Sequence, residues 1–102
     1  METATVNLRE GIKLGDRPQK TAVVRESAVE DLLAAYDLSD DERIVGAEIL
    51  MRQIVSIGEI KGPLDRATFG RLTTADMERL QKAADEVDRR AREDADAPAT
   101  GD

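Results

Sequence analysis

The stretch SDDERIVGAEILMRQIVSIG, residues 39–58, decides how much of this chain is helix. Ser39 and Glu42 have capping-box spacing, and Asp40, Asp41 and Glu42 suit the positive end of a helix dipole. Ala47, Leu50, Met51, Ile54 and Ile57 then recur at intervals of three and four, and Gly58 supplies a natural stop. The spacing predicts a helix over about 40–57. Ile44, Val45, Ile49 and Val55 widen its apolar surface beyond one seam, so it is either the central helix of the core or a helix that receives a partner. Replacing Leu50 or Ile54 by Asp separates the two readings. It unfolds the chain under the first and leaves it folded but unable to bind under the second.

Upstream, Val6 and Leu8, then Ile12 and Leu14, alternate with polar residues; Gly15-Asp16-Arg17-Pro18 and the β-branched run Thr21-Ala22-Val23-Val24 follow. This pattern predicts a β-hairpin over about 5–25, with Gly11 marking a bulge or bend. Two strands alone are marginal, so the hairpin needs a helix or another chain to lie on. Ser27 and Glu30 form a second capping-box pair, and Val29, Leu32, Leu33 and Tyr36 make an i, i+3, i+4, i+7 stripe, predicting a helix over about 28–36.

Downstream, Gly58 to Pro63 is a connector, residues 64–70 form one more turn, and Thr73 or Thr74 caps a last helix over about 74–93. Met77, Leu80, Ala84, Val87 and Ala91 give that helix a coiled-coil-like seam. Its other face places Glu78, Asp85, Glu86 and Asp88 four residues before Lys82, Arg89, Arg90 and Arg92. Residues 94–102 have no apolar pattern and are expected to be a disordered tail. The expected architecture is α+β and mainly helical: one small domain over 1–93, a hairpin followed by three or four helices.

Composition narrows the chemistry. The chain has 102 residues, no His and no Cys, which removes the usual near-neutral base, thiol nucleophiles and Cys/His metal sites. We therefore expect no enzyme, no cofactor and no metal. Asp37, Ser39, Asp41 and Glu48 sit at calcium-loop spacing, but Glu42 stands where that loop needs glycine, and helix capping explains the same residues. No apolar stretch approaches a membrane span, and the start METATVNLRE carries no signal-peptide pattern. The net charge of −7 divides as +1 over residues 1–26, −6 over 27–60 and −2 over 61–102, so a phosphate backbone is repelled and nucleic acid is not an expected partner. Tyr36 and Phe69 are the two aromatic residues, leaving aliphatic packing to build a thin core from 27 large apolar side chains.

The order of three segments carries a family resemblance: VNLREGIKLGD (6–16), AVVRESAVEDLLAA (22–35) and IGEIKGPLDRATFGRLTTADMERLQKAADEV (57–87), with the acidic-capped apolar helix between the last two. The chain resembles the small tail assembly chaperones of Mu-like and related contractile-tailed phages and prophages over about residues 5–90. Gly11 and Ser27 stand where that pattern has proline after each "RE". The resemblance implies a protein that binds the tape measure protein, keeps it soluble, helps recruit tail tube protein, acts in the cytoplasm of the bacterial host and is absent from the mature virion. Self-association is left open. The partner-binding candidates are Leu32, Leu33, Tyr36, Ile44, Leu50, Met51, Ile54, Ile57, Met77, Leu80 and Val87. A small structural tail or baseplate component of the virion, and a small regulatory protein-binding module, are the alternatives from other classes.

Overall fold

A computed structural model describes residues 1–96, with Ala95 and Asp96 defined in backbone only. The elements run β1 (Thr3–Leu14), β2 (Arg17–Arg25), α1 (Val29–Leu38), α2 (Glu42–Gln53), β3 (Ile54–Ile57), β4 (Ile60–Lys61), α3 (Arg66–Phe69) and α4 (Thr74–Asp96). The strands form one antiparallel sheet in the order β1-β2-β3-β4. Helix α4 lies across β1 and β2, and α1 packs on α2. The α+β class and the N-terminal hairpin are both present. Helix outweighs strand, but a sheet backed by α4, not a bundle, holds the core.

The stretch 39–58 is only half helix. α2 ends at Gln53, where Ile54 turns extended while its N–H still bonds the Leu50 carbonyl. Residues 54–57 then pair with β2, so the helix expected over 40–57 stops four residues early and continues as a strand. A bulge explains why the pattern looked helical. Ile54 pairs with Val24 and Ser56 with Val23, leaving Val55 as the extra residue. That insertion brings both Ile54 and Ile57 to the buried face although they are three apart, a spacing a regular strand would place on opposite faces. Gly58 is likewise not a helix stop. With φ 58° it turns β3 into β4, where a Cβ would lie 2.1 Å from Gln19 Oε1.

β1 contains a larger bulge. Asn7 pairs with Thr21 and Ile12 with Gln19, so residues 8–11 oppose the single Lys20. Gly11, the expected bend, takes φ 68°, and a Cβ there would lie 2.0 Å from the Gln19 carbonyl oxygen. The N–H groups of Arg9, Glu10 and Gly11 leave the ladder and donate to the Asp76 carboxylate at 2.7, 2.9 and 2.9 Å. Asp76 is itself held in the first turn of α4, its N–H donating to the Thr73 hydroxyl. Twelve residues on, Asp88 does the same for the second "RE" segment, accepting from the Ser27 N–H and hydroxyl. The two quoted segments and α4 are thus one unit, joined by two aspartates of the same helix.

Leu8, Ile12, Ala22, Val24, Leu50, Ile54, Ile57, Leu80, Ala84 and Val87 form the core between sheet and α4. Several local expectations shift. α1 is capped one residue later, at Ala28, whose N–H donates to Asp31, because Ser27 is committed to Asp88. α2 is capped by Asp41 and not Ser39, whose hydroxyl accepts the Asp41 N–H. On α4 the expected acid-to-base pairs give way to Arg89 bound by Glu86 and Glu93, Gln81 with Asp85, and Arg90 with the Thr3 carbonyl. α4 itself runs through Asp96, so residues 94–96, placed in the expected disordered tail, are helical. The rest of that tail lies outside the described residues.

Candidate partner-binding surface

α1 is built inside out. Its two buried residues are Asp31 and Ala35, one helical turn apart, and Asp31 is 2 % exposed. The Asp31 carboxylate accepts from Arg25 at 2.7 and 2.9 Å, from Arg52 Nε at 3.2 Å and from the Ala28 N–H at 2.8 Å. Arg25 also donates to the carbonyls of Glu26 and Arg52, and Gln53 donates to the carbonyl of Arg25. This network joins β2, α1 and the last turn of α2. The Arg25 guanidinium, opposing the upward push of burial, holds the Asp31 carboxyl down at about 2.

Burying the Asp31 face turns the opposite face outward. Val29 is 71 % exposed and Leu33 62 %, with Leu32 and Tyr36 also exposed beside them. Leu38, the last residue of α1, and Ile44, on the first turn of α2, are exposed as well. The Tyr36 hydroxyl donates to Glu42 at 3.0 Å, tying the end of α1 to the start of α2 and raising the phenol's pKa through the carboxylate it faces. Two shallow hollows border the surface. One, about 200 Å³, is lined by Ser27, Ala28, Val29, Leu32 and Ile49; the other, about 360 Å³, includes Ile44, Ala47, Met51 and Phe69.

Of the eleven candidates named from sequence, Leu32, Leu33 and Tyr36 share the exposed stripe of α1, and Ile44 is exposed on α2. Leu50, Met51, Ile54, Ile57, Leu80 and Val87 are buried inside the domain, and Met77 packs half-buried against the core. The wide apolar surface of residues 44–57 is therefore largely interior packing. Val29 on the stripe and Leu38 at the end of α1 are exposed too but were not among the candidates. Val29 was legible in the stripe, whereas Leu38 fell in the interruption between two helices and gave no periodic signal.

The unpaired charge around the stripe has one sign. Arg43 is paired with Asp41, Arg52 with Asp31, and Arg66 of α3 with Glu48. Glu30, Asp37 and Asp40 make no ion pair or side-chain hydrogen bond among the described residues. A wider hollow of about 770 Å³ lies between β1 and α4, but its rim balances Glu78 and Glu86 against Arg79 and Lys82 and so selects no charge. Among the described residues, no group of three or more acids is placed to hold a metal ion, and no helix is long and apolar enough to cross a membrane.

Comparison with known proteins places the sequence in a family. The sequence is 31 % identical over 87 residues to the Mu-like prophage FluMu protein gp41 of Haemophilus influenzae, covering 72 % of this chain and 68 % of that protein. It is 46 % identical over 44 residues to the probable tail assembly protein gp41 of Escherichia phage Mu, covering 43 % of this chain and 31 % of that one. No solved structure matches. The family described as tail assembly protein gp41 matches residues 8–98, a span that takes in both "RE" segments, the α1 surface and the two aspartates of α4, and the chain belongs to that family.

Proposed function

We propose that this protein is a tail assembly chaperone that binds the tape measure protein, keeps it soluble and helps recruit tube subunits while the tail is built. It works without catalysis in the cytoplasm of the host cell and leaves before the particle is complete. The observation that carries this reading is the outward apolar stripe of α1, held in place by a buried ion network whose effect is to keep leucines in water. A monomer gains nothing from that arrangement, and a protein that must cover another chain's apolar helix does. Family membership supports the assembly role.

Co-expression with the tape measure protein encoded in the same genome tests the reading. The expected result is a higher soluble yield of that protein and recovery of the two together on an affinity tag. Separate elution with no gain in solubility overturns it. Detection of the chain by mass spectrometry in purified finished particles would instead assign it to the virion as a small structural component.

A further inference from the structure

We infer that the segment seated on α1 is an amphipathic helix whose apolar seam is bordered by Lys and Arg. This rests on the reading of α1 as the chaperone's docking face and specifies what that face selects. Shape gives the first argument. Val29, Leu32, Leu33 and Tyr36 follow one side of a helix whose own backbone hydrogen bonds are internal, so α1 offers no strand edge and cannot take an extended segment by main-chain pairing. A convex row of side chains at three- and four-residue spacing is filled by a second helix with the same spacing, as knobs meet holes.

Charge gives the second. Every arginine of the α1–α2 layer is already paired with an acid, while Glu30, Asp37 and Asp40 flank the stripe with no partner among the described residues. Glu30 borders its N-terminal end, and Asp37 and Asp40 its C-terminal end. These positions act as the flanks of a coiled-coil seam, where opposite charge sets partner choice and like charge excludes. The same sign argues against an anionic bilayer, the other common acceptor of an exposed apolar helix face. The stripe runs over eight residues, Val29 to Tyr36, roughly 10 Å of helix, and involves far fewer than the roughly 20–30 residues a side of a standard interface. One copy therefore grips about two turns weakly.

The test uses the full chain and two synthetic 21-residue helical peptides with identical leucine seams, one flanked by Lys and one by Glu, followed by fluorescence anisotropy. The expected result is binding of the Lys-flanked peptide roughly ten-fold tighter than the other, a difference largely lost at high salt. The triple variant Glu30→Lys, Asp37→Lys, Asp40→Lys should reverse the preference, and Leu33→Asp should bind neither peptide. These side chains are exposed and bond no other residue described, so each variant should stay folded, with a melting temperature within a few degrees of wild type. Equal binding of the two peptides, or a preference that survives the triple variant, overturns the inference. Co-purification of the tape measure protein equally by wild type and triple variant also overturns it while leaving the chaperone reading intact. Selective peptide binding without tape measure co-purification does the reverse.

Discussion

Asp76 holds together two parts of the chain that lie 65 to 67 residues apart, and it does so with no exposed surface of its own. Burial alone would push its carboxyl up, but the N–H groups of Gly11, Arg9 and Glu10, with the Thr73 hydroxyl, hold it below the ordinary value. Asp76→Ala leaves three backbone donors without an acceptor and should cost ~3 kcal/mol or more in urea denaturation. Asp76→Asn keeps one acceptor oxygen and should cost less, ~1–2 kcal/mol. Equal, small losses for both variants would show that water satisfies the bulge. Asp31 adds a pH dependence. Its folded pKa of about 2 lies below its ordinary 3.8, so its contribution is fully present above about pH 4 and is lost as pH falls toward 2. That difference corresponds to about 2 kcal/mol, seen as a fall in the urea midpoint between pH 5 and pH 2 that is smaller in Asp31→Asn. Neither Asp76 nor Asp88 announced itself in the sequence. The spacing on α4 drew no reading of Asp76 and made Asp88 the i, i+4 partner of Arg92, because an acceptor for distant backbone N–H groups has no local spacing to betray it.

At the scale of elements, periodicity located the hairpin, α1 and α4 correctly but could not say which side of α1 faces inward. An apolar stripe is ordinarily the buried one. Here Arg25 and Arg52 draw Asp31 in, and the stripe is left outside. Periodicity also failed at β3, where the bulge at Val55 gives strand residues a helical spacing and a β-branched run was the sole contrary signal. The two errors have one consequence for mutagenesis. Leu50, 1 % exposed in the core, and Leu33, 62 % exposed on α1, belong to stripes that look alike in sequence. Leu50→Asp should abolish cooperative folding by burying an unpaired charge. Leu33→Asp should leave the melting temperature within a few degrees of wild type while removing partner binding, as read by circular dichroism and co-purification. Loss of folding in both would return α1 to the core.

For the whole molecule, anchoring is uneven. The hairpin and α4 share the main core and are pinned at both ends by Asp76 and Asp88. α1 packs chiefly on α2, and the attachments named for it are the Asp31 network, Ala35 and the Tyr36–Glu42 hydrogen bond. An element with few buried apolar contacts opens at lower free energy than the fold as a whole. Amides of residues 32–38 should therefore exchange with deuterium faster than those of residues 21–25 and 80–88, through an opening that leaves the sheet intact. Asp31→Asn weakens the network without touching that core, so it should speed exchange in α1 by roughly ten-fold per 1.4 kcal/mol lost and leave α4 protection nearly unchanged. Binding of a partner helix to the exposed stripe should slow α1 exchange in turn, because a ligand that binds only the closed form stabilises it by mass action. Exchange in α1 that rises and falls in step with α4 would mean that the chain opens as one unit. In that case the docking face would be as rigid as the core, and partner binding would protect the whole molecule rather than one helix.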